Sequence, residues 1–273
     1  MAVTMAEIQH LRKMTGAGMM DCKNALNEAN GDFDKAVEII RKKGQAVAAK
    51  REDREASEGC VLAKTEGNYA AVVALNCETD FVAKNEEFIA LTQQILDAAV
   101  EHKPESLEAL LDVELSGRKI SQLIMDRIGA TGEKMELSDY QIITAPHVAS
   151  YIHMGNRLAT IVGFNKENVN DDVAKDIAMQ VAAMNPISIT PDAIPAEVKE
   201  QELTIARDKA REQGKPENLL DRIAEGSLQK FYKEVTLLQQ DYVKDNKLTI
   251  DQFLKQNDKE LTVTVFKRVS LNA

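Results

Sequence analysis

Gly59-Cys60-Val61-Leu62-Ala63-Lys64-Thr65, then Glu66-Gly67-Asn68, then Tyr69-Ala70-Ala71-Val72-Val73-Ala74-Leu75-Asn76: two apolar runs flank a short turn signal and predict a β-hairpin. The arrangement returns later in the chain, where Val148 to Met154 and Arg157 to Phe164 flank Gly155-Asn156. Each hairpin ends near an asparagine (Asn76, Asn165) and leads to an Ala-rich helical run that stops at a proline (Pro104, Pro186). The matching order reads as an internal duplication of a strand–strand–helix unit. The predicted fold class is α+β.

Within the first unit, Thr79-Asp80-Phe81-Val82-Ala83-Lys84 connects the second strand to a helical run from Glu86 to about His102. Such connections are where binding residues concentrate. Phe81 has two readings there: it projects from the scaffold beside Asp80, or it folds back under its loop as a core residue. The repeat bears on the choice. Gly67 to Pro104 spans 37 positions and Gly155 to Pro186 spans 31, so the first unit is longer by 6. The excess is expected near Thr79-Asp80-Phe81, a segment the second unit folds without, and this favours projection.

The first 45 residues carry a three-helix pattern. Ile8, Leu11 and Met14 line the first helix, and Thr15-Gly16-Ala17-Gly18 breaks it. Cys22, Ala25, Leu26 and Ala29 form the apolar stripe of the second, and Phe33, Ala36, Val37 and Ile40 that of the third, with Asp32 as N-cap and Gly44 as stop. So small a bundle suits docking better than catalysis. Residues 46–58 read as a partly helical linker, 106–128 as helix and Asp139 to Ala145 as strand. Pro195 to Gln213 and Pro216 to about Lys233 flank the breaker Gln213-Gly214-Lys215-Pro216 and predict a projecting antiparallel helical hairpin, with Val198, Leu203, Ile205 and Ala206 apolar in its first arm. Ile250, Phe253 and Leu254 mark a short helix, and Thr262 to Val269 a final strand. The expected division is 1–55 for the N-terminal bundle and linker, 56–145 for the first core subdomain and 146–273 for the second, with the hairpin inserted at about 187–233.

Composition narrows the function. Aromatic residues make up 4% of the chain and Trp is absent, which argues against a stacking platform for single-stranded nucleic acid. The net charge of −10 is unfavourable for phosphate backbones, and residues 1–56, with 10 Lys/Arg against 9 Asp/Glu, are the one nearly neutral part. No direct nucleic-acid partner is expected. Cys22, Cys60 and Cys77 form no C-x-x-C pair and read as reduced thiols. With neither a signal-peptide core nor a membrane-length run, the sequence predicts a soluble cytoplasmic protein. Gly16-Ala17-Gly18 lacks the rest of a phosphate loop, and His10, His102, His147 and His153 fit no common zinc spacing. No cofactor or metal is expected, and no enzyme chemistry.

Two motifs then carry a family resemblance: Arg12-Lys13-Met14-Thr15-Gly16-Ala17-Gly18-Met19-Met20-Asp21-Cys22-Lys23 and Asn76-Cys77-Glu78-Thr79-Asp80-Phe81-Val82-Ala83-Lys84. With Ile177-Ala178-Met179 and Gly214-Lys215-Pro216, the chain resembles bacterial elongation factor Ts, the family of guanine-nucleotide exchange factors for the GTPase elongation factor Tu. The resemblance implies a ubiquitin-associated-like N-terminal bundle, two related core subdomains and an inserted coiled-coil hairpin. It implies that Thr79, Asp80, Phe81 and Val82 meet the nucleotide-binding domain of that partner, Phe81 as a wedge between helices and Asp80 against the groups that order magnesium. Arg12, Met19, Met20 and Lys23 match the family's N-terminal contact surface, and His153 a contact in the second subdomain. The bare residues leave Met19 and Met20 open between a partner surface and a cap on their own bundle. The hairpin either dimerises, as in some relatives, or stands as an exposed arm. Many family members continue into a further C-terminal helix; this sequence stops at Leu271-Asn272-Ala273, so that contact is not carried over and a smaller interface is expected. Two other functions compete: a helical adaptor or chaperone-like module acting through residues 1–45, and, more remotely, a hydrolase using Asp80 with Cys77 or His153.

Overall fold

A computed structural model describes residues 3–271. Its first helix, α1 (Met5–Thr15), begins with a capping box in which Thr4 and Glu7 exchange hydrogen bonds. α2 (Met19–Glu28) and α3 (Phe33–Lys50) follow, the latter capped by the Asp32 carboxylate. Ile8, Leu11, Cys22, Ala25, Leu26, Ala29, Ala36 and Ile40 close one small core. Met14 departs from expectation and is 49% exposed. Each step of three residues falls about 60° short of a full helical turn, so after two steps from Ile8 the side chain has rotated off the buried face.

β1 (Glu58–Glu66) and β2 (Tyr69–Cys77) pair antiparallel from Glu58↔Cys77 to Glu66↔Tyr69 and leave Gly67-Asn68 as the turn. A single helical turn, α4 (Asp80–Ala83), leads to α5 (Glu86–His102). The stretch expected as one helix is divided into α6 (Leu107–Leu111), the two-residue strands β3 (Glu114–Leu115) and β4 (Arg118–Lys119), and α7 (Ile120–Thr131). Ser116 and Gly117, both at positive φ, reverse the chain between the short strands. β5 (Met135–Thr144) pairs with β2 and completes a sheet in the order β1-β2-β5.

Gly44 does not end α3, which runs on to Lys50 with Gly44 buried inside it. The reason is a helix crossing: a Cβ on Gly129 of α7 would lie 2.9 Å from the Gly44 Cα, and one on Gly44 3.2 Å from the Met125 carbonyl oxygen. The glycine allows backbone to meet backbone. This crossing, with Val47 and Ala48 packed on the core, seats the bundle on the rest of the molecule.

The second unit comprises β6 (His147–Ile152), β7 (Leu158–Phe164) and α8 (Asp171–Met184). β6 ends two residues before the predicted Met154, which is 90% exposed in the turn. The helices of the two units are bounded alike. Asn85 and Asn170 cap their first amides, and Lys103 and Asn185 end them in the left-handed conformation just before a proline. The six-residue excess of the first unit is spread out. α5 has 17 residues against 14 in α8, whereas the connections, 78–85 and 165–170, differ by only two.

α9 (Ala196–Glu212) and α10 (Leu220–Val235) form the antiparallel hairpin, with Ile194, Leu228 and Tyr232 as its own small core. Ala206 takes the inward position, which turns its neighbour Ile205 outward to 50% exposure. The feet of the hairpin are joined where the Leu237 amide donates to the Ser188 carbonyl at 2.9 Å. β8 (Asp241–Tyr242) and β9 (Asp245–Thr249) form a ribbon that the sequence reading missed, before α11 (Ile250–Asn257) and β10 (Val263–Ser270). The second sheet has the order β10-β7-β6.

Strand alternation stacks these layers. Val61, Ala63, Ala70, Val72 and Ala74 of the first sheet meet Val148, Ala159, Ile161 and Val269 of the second. The opposite faces carry the helices: Leu62, Val73 and Leu75 pack on Phe88 and Ile95 of α5, and Val162 and Phe164 on Val173 and Ile177 of α8. At Gly163 of β7 a Cβ would fall 2.7 Å from that of Ala145, just past β5, so the glycine leaves room for that side chain.

Candidate partner-binding site

Thr79 opens the connection after β2 and is held from two sides. Its amide donates to Glu133 Oε2 at 3.0 Å and its hydroxyl to Glu133 Oε1 at 2.7 Å, while its carbonyl accepts from the Cys77 thiol at 3.3 Å. Its hydroxyl oxygen also accepts from the Val82 amide, so Thr79 is the N-cap of α4. Val82 and Ala83 pack on the first core, and Asn85 caps the next helix. Both ends of the turn are therefore fixed. On its outer side Phe81 stands 84% exposed. The core reading of this ring is excluded.

Asp80, beside it, is half-exposed and pairs with Lys84 at 2.7 Å. The hydrogen bond and charge of Lys84 hold its carboxyl below the usual carboxylate range, so it is ionised at neutral pH. An exposed i,i+4 pair of this kind is weak and easily exchanged for another partner. Cys77 is different. Burial, reinforced by the Glu133 charge, pushes its thiol up to about 12, so at neutral pH it is a protonated group holding Thr79 rather than a nucleophile.

Arg12, Met20 and Lys23 are exposed on the N-terminal bundle, Met20 at 64%. Met19 is half-buried and packs against the bundle's core. Arg12 shares a cleft of about 450 Å³ with Gln9, Lys13, Gly16 and Glu87 of α5. Arg127 of α7 ties this region to the turn by pairing with Glu87 and donating to the Asn85 side chain at 2.7 Å. His153 is exposed in the second hairpin's turn, with Nδ1 3.1 Å from the Tyr151 hydroxyl. That turn abuts the start of β1: the Asn156 carbonyl accepts from the Val61 amide at 2.7 Å, and Arg157 pairs with Glu58. Glu58 lies opposite Cys77 in the ladder. The structure thus gathers Arg12, the Asp80–Phe81 turn and the His153 turn at one end of the stacked sheets.

Comparison with known proteins now bears on this arrangement. The family profile described as "Elongation factor TS" matches residues 78–273. Elongation factor Ts of Porphyromonas gingivalis is 62% identical over 274 residues, covering all of both chains. That of Azobacteroides pseudotrichonymphae is 56% identical over 272 residues, covering all of this chain and 99% of the other. That of Bacteroides fragilis is 46% identical over 330 residues, covering all of both. The chain belongs to the elongation factor Ts family.

Elongation factor Ts proteins are elongation factors of protein biosynthesis, and the assignment drawn from the two sequence motifs holds. The family match begins at Glu78 and so takes in Thr79–Val82 and His153; Arg12, Met19, Met20 and Lys23 lie in the part covered by the full-length relatives. Among the described residues, no helix is long and apolar enough to cross a membrane, and no group of three or more His, Cys, Asp or Glu is placed to hold a metal. The sequence reading missed Glu133, the residue that anchors the turn. It lies 54 positions from Thr79 in the short link between α7 and β5, and only the β2–β5 pairing brings it close.

Proposed function

We propose that this elongation factor Ts family member is a guanine-nucleotide exchange factor for elongation factor Tu, acting in the cytoplasm without chemical catalysis. The observation that carries the reading is a phenylalanine 84% exposed on a turn whose two flanks are anchored to the core. Leaving such a ring in water gains the free chain nothing, whereas burying it in a partner pocket is worth roughly 1.5–3 kcal/mol. Phe81 wedges between helices of the partner's nucleotide-binding domain, and Asp80 exchanges Lys84 for the groups that order magnesium, whose affinity depends on its oxygen and water shell. Arg12, Met20 and Lys23, with Met19 supporting them, supply a second contact and His153 a third. The ubiquitin-associated-like bundle of residues 1–55, the core subdomains 56–145 and 146–273 and the coiled-coil hairpin at about 187–233 divide this work as docking unit, wedge carrier, second support and arm.

Linkage sets the energetic requirement. A factor that favours the nucleotide-free partner is itself weakened by nucleotide to the same degree. A thousandfold effect needs about 4 kcal/mol, within reach of one buried ring and one displaced magnesium ligand. The test is to measure binding of the full chain to elongation factor Tu by calorimetry, with and without GDP and magnesium. The expected result is tight binding to the empty GTPase and at least hundredfold weaker binding when GDP is present. Equal affinity in both states would remove the exchange function.

A further inference from the structure

Two carboxylates beneath the exposed turn reach across to each other's neighbours. Glu133 accepts from the amide of Thr79 at 3.0 Å, and Glu78 accepts from the amide of Lys134 at 2.7 Å. Each side chain binds the backbone next to the other, and each has a further tie. Glu133 takes the Thr79 hydroxyl, while both oxygens of Glu78 take Arg51 Nη1 at 3.0 and 2.9 Å. Arg51 is the C-cap of α3, and the Lys134 ammonium donates to the neighbouring Glu52 carbonyl at 2.9 Å. The end of the N-terminal bundle, the end of β2 and the start of β5 are thereby joined directly under Asp80 and Phe81.

The second unit is tied differently at the corresponding place. There the side chain of Asn165 bonds the Glu260 carbonyl and the Thr262 amide, both at 2.8 Å, Lys166 pairs with Asp258 and Glu260 at 2.7 and 3.1 Å, and the connection 165–170 carries no aromatic residue. What the first unit adds is a carboxylate that takes the backbone amide at the start of the connection itself, where a side chain is presented. A four-residue helix has no stability of its own, so what holds its N-cap residue decides where its side chains point. Both donors of that residue, Thr79, end on one carboxylate.

We propose that Glu133 is a positioning residue for nucleotide exchange: with Glu78 and Arg51 it fixes the Asp80–Phe81 turn in its presenting orientation and couples it to the N-terminal bundle. This rests on the reading that Asp80 and Phe81 act on the GTPase. Glu133 touches no nucleotide; it acts through Thr79.

A double-mutant cycle on the full chain tests this, using affinity for nucleotide-free elongation factor Tu because affinity remains measurable when the turn is crippled. Glu133→Ala in the wild-type background is expected to weaken binding about tenfold by leaving both Thr79 donors without their acceptor. In the Asp80→Ala/Phe81→Ala background the same change is expected to weaken it less than about twofold. Amide hydrogen exchange should quicken at 79–83 and stay unchanged along α5. Equal weakening in both backgrounds, or none in the first, overturns the proposal. Failure of the underlying reading looks different: Asp80→Ala/Phe81→Ala would then itself bind as wild type. Should Glu133→Ala not fold, Glu133→Gln keeps the shape and one acceptor oxygen and is expected to show an intermediate loss confined to the wild-type background.

Discussion

Phe81 and Phe88 lie seven positions apart and occupy opposite environments, one 84% exposed and the other fully buried among Leu91, Ile95 and the first sheet. Phe81→Ala is expected to change folding stability by no more than about 0.5 kcal/mol. Phe88→Ala should cost about 3–5 kcal/mol through the cavity it leaves. Urea unfolding of both variants checks the pair, and a large loss at Phe81 would return that ring to the core. At this scale the sequence was partly legible. The strand-to-helix setting of Thr79-Asp80-Phe81 marked the site, but the length argument that favoured projection located the excess wrongly, since most of it is hairpin and helix. What the sequence could not show was Glu133. A single carboxylate in a short link acquires meaning only when β2 and β5 pair.

At the scale of elements, apolar spacing and end signals located the helices of the bundle, the first hairpin, the N-cap of α3 and the bounds of α5, because these depend on neighbours within one turn. Gly44 shows where such reading fails. A glycine after an apolar stripe resembles a helix stop, yet the same residue is what a close helix crossing needs, and the sequence does not say which demand applies. The crossing gives its own prediction. Gly129→Ala gains up to about 1 kcal/mol of helix propensity, but its methyl group would sit 2.9 Å from the Gly44 Cα and must push backbone aside. Overpacking of this kind costs about 1–3 kcal/mol, so the expected net change is destabilising and visible as a lower urea midpoint. An unchanged or raised midpoint would mean that α3 and α7 separate freely, and with them the bundle and the core.

For the whole molecule, the apolar run Ala70-Ala71-Val72-Val73-Ala74-Leu75 marked a strand, and the structure buries it on both faces. The run did not reveal that the second face meets another sheet, because β10 reaches β7 from about 100 positions away and no local signal encodes that pairing. The stacking has a functional consequence. It brings the connection that follows the first hairpin and the turn of the second hairpin to one end, with the N-terminal bundle seated beside them, so that Arg12, Phe81 and His153 are exposed in a common region. The central claim is that the turn at this end drives nucleotide from the GTPase. Its most direct test is release of fluorescently labelled GDP from elongation factor Tu, with wild-type chain and with Asp80→Ala/Phe81→Ala. The account predicts strong acceleration by wild type and its loss, by at least about tenfold, in a double variant with unchanged urea unfolding. A folded double variant that accelerates release as well as wild type does would contradict it.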